Sequence, residues 1–231
     1  MSLFQNPLQA KDNLLLYGTE LSPESSYYYL GTIIPINYQE DNYYLRLWTD
    51  FLTYEYDSSY FEEVAPSEFE EVDFTVEAKS KNIQLSLGRQ FLHDSGWFNV
   101  YLGYASNDTT LKPDDLSNDS RGKHNQFIIS ADGDYKLTGC EHNLSYGVSY
   151  ALDQKGYWFR VRPICWTYQK KKVGFELVSH GDSNYRHVQL GAVLFNELLS
   201  SATDYSIKTG LTATQDSDVF PYIGIEFTTR Y

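Results

Sequence analysis

Apolar and polar residues alternate with a period of two along most of the chain. In the last segment Ile223, Ile225 and Phe227 share one face, whereas Gly224 and Glu226 share the other. Successive side chains of a β-strand point to opposite sides of the sheet, so this pattern predicts strands with one apolar and one polar face. Most of these segments have about the 9 to 11 residues with which a tilted strand crosses a bilayer.

Twelve segments show the pattern. They are Leu14–Thr19, Ser26–Pro35, Tyr43–Tyr56, Asp73–Phe91, Trp97–Asn107, Lys123–Leu137, Glu141–Leu152, Gly156–Gln169, Lys172–His180, Tyr185–Leu194, Asp204–Thr214 and Pro221–Tyr231. Bacterial outer-membrane barrels have even strand numbers, short periplasmic turns and longer extracellular loops. With a periplasmic N-terminus, the two longest connections, Asp57–Val72 and Asp108–Gly122, both lie outside. Eleven strands would place the chain ends on opposite sides, so twelve are preferred to ten or eleven.

The predicted fold class is therefore all-β, an antiparallel up-and-down transmembrane β-barrel of about 12 strands in the bacterial outer membrane. Residues 1–231 are expected to form this single domain, with a disordered or tag-like N-terminus at 1–12. Within the fourth segment the face that is polar before Lys81 becomes apolar after it. This change of parity predicts a β-bulge near Lys81. A soluble β-sandwich, which also alternates, is the alternative fold.

Composition excludes two classes of protein. Asp and Glu number 31 against 18 Lys and Arg, a net charge of −13, whereas nucleic-acid binding needs clustered cations. No apolar run approaches the roughly 18 residues of a membrane-spanning helix. The two cysteines, Cys140 and Cys165, are too few for a disulfide scaffold and lack zinc-site spacing, so we expect them to be unpaired.

If the aliphatic face meets lipid, the polar face lines a lumen. Aromatic rings beside hydrogen-bonding groups suit sugars, because C–H bonds stack on rings while hydroxyls bond to charged side chains. The predicted lumen ligands are Arg46, Trp48, Asp50, Trp158, Arg160, Arg162, Glu176 and His187. Two other interpretations stay open: a salt-bridged plug that fills the barrel, and aromatic residues that serve as girdle and packing.

The outer connections are acidic, and acidic runs usually form solvated faces. Asp114 and Asp115 supply oxygen ligands for a divalent cation but lack an EF-hand pattern, so no metal and no other cofactor is predicted. His180, Asp182 and Ser183 suggest a lipid hydrolase, yet neighbouring loop positions rarely form a nucleophile pair, and the chain has no G-x-S-x-G elbow. The protein is expected not to be an enzyme.

Five segments together resemble the cellulose biosynthesis protein BcsS family of bacterial outer-membrane β-barrels. They are Leu45–Asp57, Thr110–Gly122, Gly156–Arg162, His180–Gly191 and Pro221–Phe227, and their order and spacing also fit. The most specific elements are the two loop segments, because strand patterns recur in unrelated barrels.

The resemblance implies placement in the outer membrane and a link to the production of cellulose or a related exopolysaccharide. It carries over no catalytic residues. The matching loop-motif positions are Pro113, Asp114, Asp115, Arg121, Asp182, Tyr185 and Arg186. The implied partners are outer-membrane lipid, cellulose or another polysaccharide, and proteins of the synthase system. The expected role is a narrow pore or polysaccharide-binding barrel; the alternative is a non-conducting barrel whose extracellular loops bind a partner.

Overall fold

Twelve antiparallel strands close into one barrel in a computed structural model. It describes residues 13–36, 42–65, 67–116, 118–137, 143–168, 171–182, 186–197, 202–214 and 219–231. The strands are β1 (Leu14–Leu21), β2 (Ser25–Pro35), β3 (Tyr43–Ala65), β4 (Glu68–His93), β5 (Gly96–Lys112), β6 (Gly122–Lys136), β7 (Asn143–Ala151), β8 (Tyr157–Tyr168), β9 (Lys171–Gly181), β10 (Arg186–Glu197), β11 (Thr203–Thr214) and β12 (Val219–Arg230). Each strand pairs with its chain neighbours, and β1 pairs with β12. The predicted twelve-strand barrel is confirmed; the expected N-terminal segment 1–12 lies outside the described residues.

Period-two alternation places an aliphatic band on the outer surface of the barrel. Leu85, Leu102, Ile129 and Leu190 lie on different strands, and each is about half exposed or more. Aromatic side chains such as Tyr28 and Phe51, which are paired across β2 and β3, flank the band. An exposed apolar surface of this extent is what a bilayer covers. None of the described residues form a helix that is long and apolar enough to span a membrane.

The parity change near Lys81 has a different cause from the predicted bulge. The β3–β4 ladder runs without a register shift through Phe51↔Lys81 and Thr53↔Lys79. The odd-numbered residues of β4 face outward along the whole strand. Lys79 and Lys81 lie beyond the apolar band, whereas Ile83 lies within it. The predicted bulge is therefore wrong, because what changes at this point is the medium outside the barrel and not the register.

The predicted long connection Asp57–Val72 is also mostly strand. β3 and β4 continue pairing to Ala65↔Glu68, with a register shift between Glu63 and Ala65. β2 stops pairing with β3 at Tyr54, and β5 stops pairing with β4 at Glu77. The hairpin therefore extends beyond the barrel as a two-stranded ribbon. Acidic residues have a low propensity for β-strands, so the sequence did not predict that β3 and β4 continue into this ribbon.

Cys165 corrects a further expectation, because it is disulfide-bonded and not an unpaired residue. It lies in β8 at a register shift between Ile164 and Trp166. Cys140, the other cysteine of the sequence, lies outside the described residues. A disulfide bond is stable in oxidising compartments such as the bacterial periplasm.

Apolar side chains also face inward at both ends of the barrel. We call the end that carries the chain termini the inner end and the opposite one the outer end. Leu14, Ile33, Tyr44 and Tyr101 form a buried cluster at the inner end. Tyr54, Val76, Ala78 and Leu111 form another at the outer end. The polar part of the lumen therefore lies between these two clusters.

Candidate functional site

A cavity of about 500 Å³ runs along the lumen. Its wall includes Asn143, Lys172 and Asp204 near the inner end and Leu52 and His180 near the outer end. Ligand pockets typically measure about 300–1,000 Å³. The barrel therefore encloses enough space for a ligand along its axis.

The predicted lumen residues all lie on the inner face of the barrel wall. Those that line the cavity are Arg46, Trp48, Asp50, Trp158, Arg160, Arg162 and His187. Glu176 is fully buried behind them, next to Arg162. The strand pattern therefore located these side chains correctly, while their role in binding stays a prediction.

One wall of the lumen holds a buried network of three cations and three carboxylates, which we call the ion network. It consists of Glu20, Arg160, Arg162, Glu176, Lys208 and Glu226. Arg162 donates through Nε to Glu176 and through Nη1 to Oε2 of Glu226, the latter at 2.6 Å. Lys208 Nζ lies 2.6 Å from Glu20 Oε2 and 3.3 Å from Glu226 Oε1. Formal charges in the ion network cancel, which makes its burial tolerable.

A second polar group lies on strands β3 to β6. Arg46 Nη1 lies 3.5 Å from Asp132 Oδ2, and Asn99 donates to the other oxygen of Asp132 at 2.8 Å. The Arg46 guanidinium also lies 4.1 Å from the Tyr101 ring centroid. Asp50 accepts a hydrogen bond from Asn82 at 2.9 Å. The cavity is thus bounded by arginines that already have carboxylate partners.

Aromatic rings face the cavity from opposite walls. Trp48 on β3 stacks on Tyr29 of β2, with centroids 5.0 Å apart and planes 10° from parallel. Trp158 lies on β8, which is six strands from β2 in the closed ring of twelve. The Arg160 guanidinium lies 5.3 Å from the centroid of the Trp158 ring. Both indole rings lie along the wall over glycines of the neighbouring strand, since a Cβ at Gly31 would be 2.2 Å from Trp48 and one at Gly147 would be 2.8 Å from Trp158.

His180 and His187 form a pair near the outer end. Nδ1 of His187 lies 2.5 Å from Nε2 of His180, and the other His187 nitrogen contacts the Thr212 hydroxyl. Ser183 lies outside the described residues. Asp182 accepts a hydrogen bond from Ser120. The hydrolase arrangement considered from the sequence therefore lies partly outside the described residues.

The β5–β6 loop, residues 113–121 with 117 outside the described set, connects opposite sides of the outer end. Asp115 accepts hydrogen bonds from Tyr56 and Ser58 of β3, both at 3.0 Å. At the other end of the loop, Ser120 Oγ donates to Asp182 Oδ2 at 2.5 Å. Asp182 follows β9, which lies six strands from β3. The loop therefore crosses the mouth of the barrel.

Tyr56 keeps its proton in this setting. It lies beyond the apolar band, accepts a hydrogen bond from Asn118 at 2.8 Å and donates to Asp115. Burial raises its pKa to about 12 against the opposing effect of the Asn118 bond, and Asp115 and Asp182 also raise it. The phenol is thus a donor at neutral pH.

The other loop-motif residues are more dispersed. Arg121 Nη1 binds Asp114 Oδ2 at 2.9 Å on the exposed side of the loop. Pro113 follows Lys112 at the end of β5, and Arg186 begins β10 with an exposed side chain. Tyr185 lies outside the described residues. Among the members of this set that the structure describes, Asp115 and Asp182 take part in the contacts across the mouth.

Several site residues were absent from the sequence prediction. Lys208 and Glu226 share the inward parity of the predicted lumen ligands, so the alternation predicts both on the polar face, although neither is in the predicted ligand set. Glu20 directly follows the first predicted strand, Leu14–Thr19, and Tyr29 lies in a run of tyrosines. Ser120 and Asn118 lie in a loop without periodicity, so no sequence signal marks them. Within the described part of the chain, no group of three or more His, Cys, Asp or Glu side chains is arranged to hold a metal ion.

Comparison with protein families now assigns the chain. The family described as Cellulose biosynthesis protein BcsS matches residues 14–231. The chain belongs to this family. The resemblance predicted from five segments is therefore confirmed over nearly the whole sequence. No curated protein matches the sequence.

Solved structures with a similar fold are outer-membrane barrels. The KdgM porin is 11% identical with a TM-score of 0.50, covering 94% of this chain and 99% of its own. The KdgM porin in complex with disordered oligogalacturonate is 12% identical with a TM-score of 0.49 and the same coverages. The protease OmpT from Escherichia coli is 7% identical with a TM-score of 0.34, covering 98% and 97%. At these identities the likeness concerns the fold alone.

Proposed function

We propose that this BcsS-family protein lies in the bacterial outer membrane and binds an uncharged sugar polymer in its lumen during cellulose or exopolysaccharide secretion. The observation that carries the proposal is the axial cavity of about 500 Å³ with Trp48 and Trp158 on opposite walls. Indole faces stack on the C–H bonds of sugar rings, and adjacent Asp50 and Arg160 can bond to hydroxyl groups. The proposed role is non-enzymatic.

The charge arrangement favours an uncharged polymer. Arg46, Arg160 and Arg162 each lie within 3.5 Å of a carboxylate oxygen of the protein. An acidic polymer would have to compete with these internal partners for its own cation contacts. A neutral glycan needs only hydrogen-bond donors and acceptors, which the lumen presents on both walls.

Three observations support placement in the outer membrane. The outward face carries a continuous aliphatic band, and the closed strand order leaves no open sheet edge within it. The chain belongs to a cellulose biosynthesis family. Cys165 is disulfide-bonded, as is common in the oxidising periplasm.

The proposal is tested by titrating cello-oligosaccharides into the detergent-purified barrel, with calorimetry and tryptophan fluorescence as readouts. We expect saturable binding, and a loss of affinity of about five-fold in Trp48→Ala or Trp158→Ala, since an aromatic contact contributes on the order of 1 kcal/mol. The matched control is Trp166→Ala, because Trp166 is half exposed on β8. Absence of binding, or an equal loss in the control, would contradict the proposal.

A second candidate function is partner binding by the extended β3–β4 ribbon. Residues 55–77 contain acidic side chains and no Lys or Arg. Tyr60, Phe61 and Phe69 are each at least half exposed on it. An isolated two-stranded ribbon is only marginally stable in water. Exposed aromatic residues on such a ribbon favour contact with another component of the synthase system.

This second candidate is tested by replacing residues 59–73 with an Asn-Gly turn, which preserves the Ser58↔Phe74 pair. We expect the barrel to fold as before while polymer secretion and the capture of synthase-system proteins both decrease. If both are unchanged, the ribbon has no binding role and the candidate is dropped.

A further inference from the structure

We propose that the β5–β6 loop is a gate that closes the outer mouth of the lumen, and that the Ser120–Asp182 hydrogen bond is its latch. The gate concerns access to the cavity whatever enters it, and its role in secretion rests on the proposed function. The proposal depends on where the loop is attached, how it is held and what lies beneath it.

The loop is attached at one side of the mouth and held at two others. It joins β5 to β6, while its contacts reach Tyr56 and Ser58 on β3 and Asp182 after β9. Because β3 and β9 are six strands apart in a closed ring of twelve, a line between them passes over the lumen. The loop therefore covers the axis of the barrel.

The hydrogen bonds described for the two attachments of the loop differ in number. Asp115 receives two hydroxyl donors, and Asn118 connects this end further by donating to Tyr56 and accepting from the Ser120 amide at 2.9 Å. At the opposite end, the hydrogen bond described for Ser120 Oγ is the one to Asp182. A hydroxyl–carboxylate bond is strong enough to hold a loop and weak enough to break reversibly. We infer that the loop opens at Ser120 and pivots at Asp115.

The inward side of the β5–β6 loop is buried, and the cavity of the lumen extends toward it. Asp115, Asn118 and Ser120 are all buried although they belong to a surface loop, while Leu116 at the top is 82% exposed. The cavity reaches Leu52 and His180 near the outer end. Releasing Ser120 from Asp182 would therefore connect the cavity to the exterior.

The test uses the full-length barrel in liposomes, with Ser120→Ala and Asp182→Ala as latch variants. Their matched control is Ser59→Ala, which removes a similar hydroxyl–carboxylate bond, Ser59 Oγ to Glu71 Oε1 at 2.7 Å, from the ribbon and not from the mouth. Trypsin cleavage after Arg121 reports loop opening, and planar-bilayer conductance reports access to the lumen. Cello-oligosaccharide binding is measured separately, so failure of the gate and failure of the proposed function are distinguishable.

We expect both latch variants to be cleaved about ten-fold faster or more after Arg121, because losing a bond to a carboxylate shifts an opening equilibrium by at least that factor. Conductance should rise in parallel, and Ser59→Ala should match the parent in both. Cleavage and conductance equal to those of the parent would overturn the latch. Faster cleavage without a rise in conductance would overturn the gate.

Tyr56→Phe, which weakens the pivot, should further increase both signals in a latch variant.

Discussion

Nη1 of Arg162 donates to Oε2 of Glu226 at 2.6 Å, and this pair joins strands β8 and β12, which are separated by three other strands in the ring. Both side chains belong to the ion network, and Arg162 is only 2% exposed. Buried ions that lose their partner are strongly destabilising, whereas paired ones contribute little net stability. The ion network is therefore compatible with a stable barrel only while every charge in it keeps a partner.

Replacing Arg162 with Met should destabilise the barrel severely. The fully buried Glu176 would lose its closest cation, so the free energy of unfolding should fall by about 3–5 kcal/mol. Urea unfolding followed by tryptophan fluorescence measures this. Adding Glu176→Gln to the same variant should recover part of the loss, because the uncompensated carboxylate is then removed.

An exposed ion pair provides the control for Arg162. Lys79 Nζ lies 2.6 Å from Glu77 Oε1, but both side chains are well exposed. Lys79→Ala should therefore cost less than about 1 kcal/mol. Equal losses in the two variants would show that the ion network is hydrated and not buried.

Substituting Gly31 with Val should move Trp48 without deleting it. A Cβ at this position would lie 2.2 Å from Cε3 of Trp48, so the ring has to leave its stack on Tyr29. Overpacking of this kind costs about 1–3 kcal/mol. We expect cello-oligosaccharide affinity to fall several-fold while the barrel still folds. Calorimetry gives the affinity, and near-ultraviolet circular dichroism reports the ring displacement.

Gly156→Ala is the corresponding control. The nearest atom to its added Cβ is the Ala151 Cβ at 3.6 Å, an ordinary contact. Its affinity should equal that of the parent. If Gly31→Val also binds like the parent, then Trp48 does not contribute to sugar binding.

The alternation of side chains was sufficient to predict the strands and the lumen-facing residues, because both depend only on the period of a β-strand. The misplaced bulge at Lys81 shows the limit of such a pattern. Periodicity identifies the residues that share a face, but it does not say whether lipid or water covers that face. At Lys79 and Lys81 the outward face leaves the apolar band while the ladder continues.

Contacts across the ring could not be predicted in the same way. Ser120 and Asp182 are 62 residues apart and lie in connections without periodicity. Glu20 meets Lys208 only because β1 closes the barrel against β12 and lies near β11. Such pairs depend on closure and loop conformation, which local sequence patterns do not encode.

The aliphatic band can be tested with one charge. Leu85→Arg places a cation on the outward face of β4 between Leu47 and Tyr104, within the proposed bilayer. An arginine at the bilayer midplane costs about 2–4 kcal/mol. Folding into liposomes should weaken accordingly, as measured by urea titration.

Thr75→Arg is the matched substitution outside the band. Thr75 also faces outward on β4 and pairs with Asp57 on the ribbon. Its variant should fold into liposomes like the parent, apart from the loss of one exposed hydrogen bond. A similar cost at both positions would contradict a lipid-facing band.

Reduction should lower the stability of the oxidised protein. Cys165 lies at the β8 register shift and is disulfide-bonded, and a disulfide typically contributes about 2–4 kcal/mol by restricting the unfolded chain. The urea midpoint should therefore fall when a reductant is added to the parent, and Cys165→Ser should show the lower midpoint with or without reductant. Protein purified from the cell envelope should have no titratable thiol before reduction. Free thiols in that preparation would argue against exposure of this end of the barrel to an oxidising compartment.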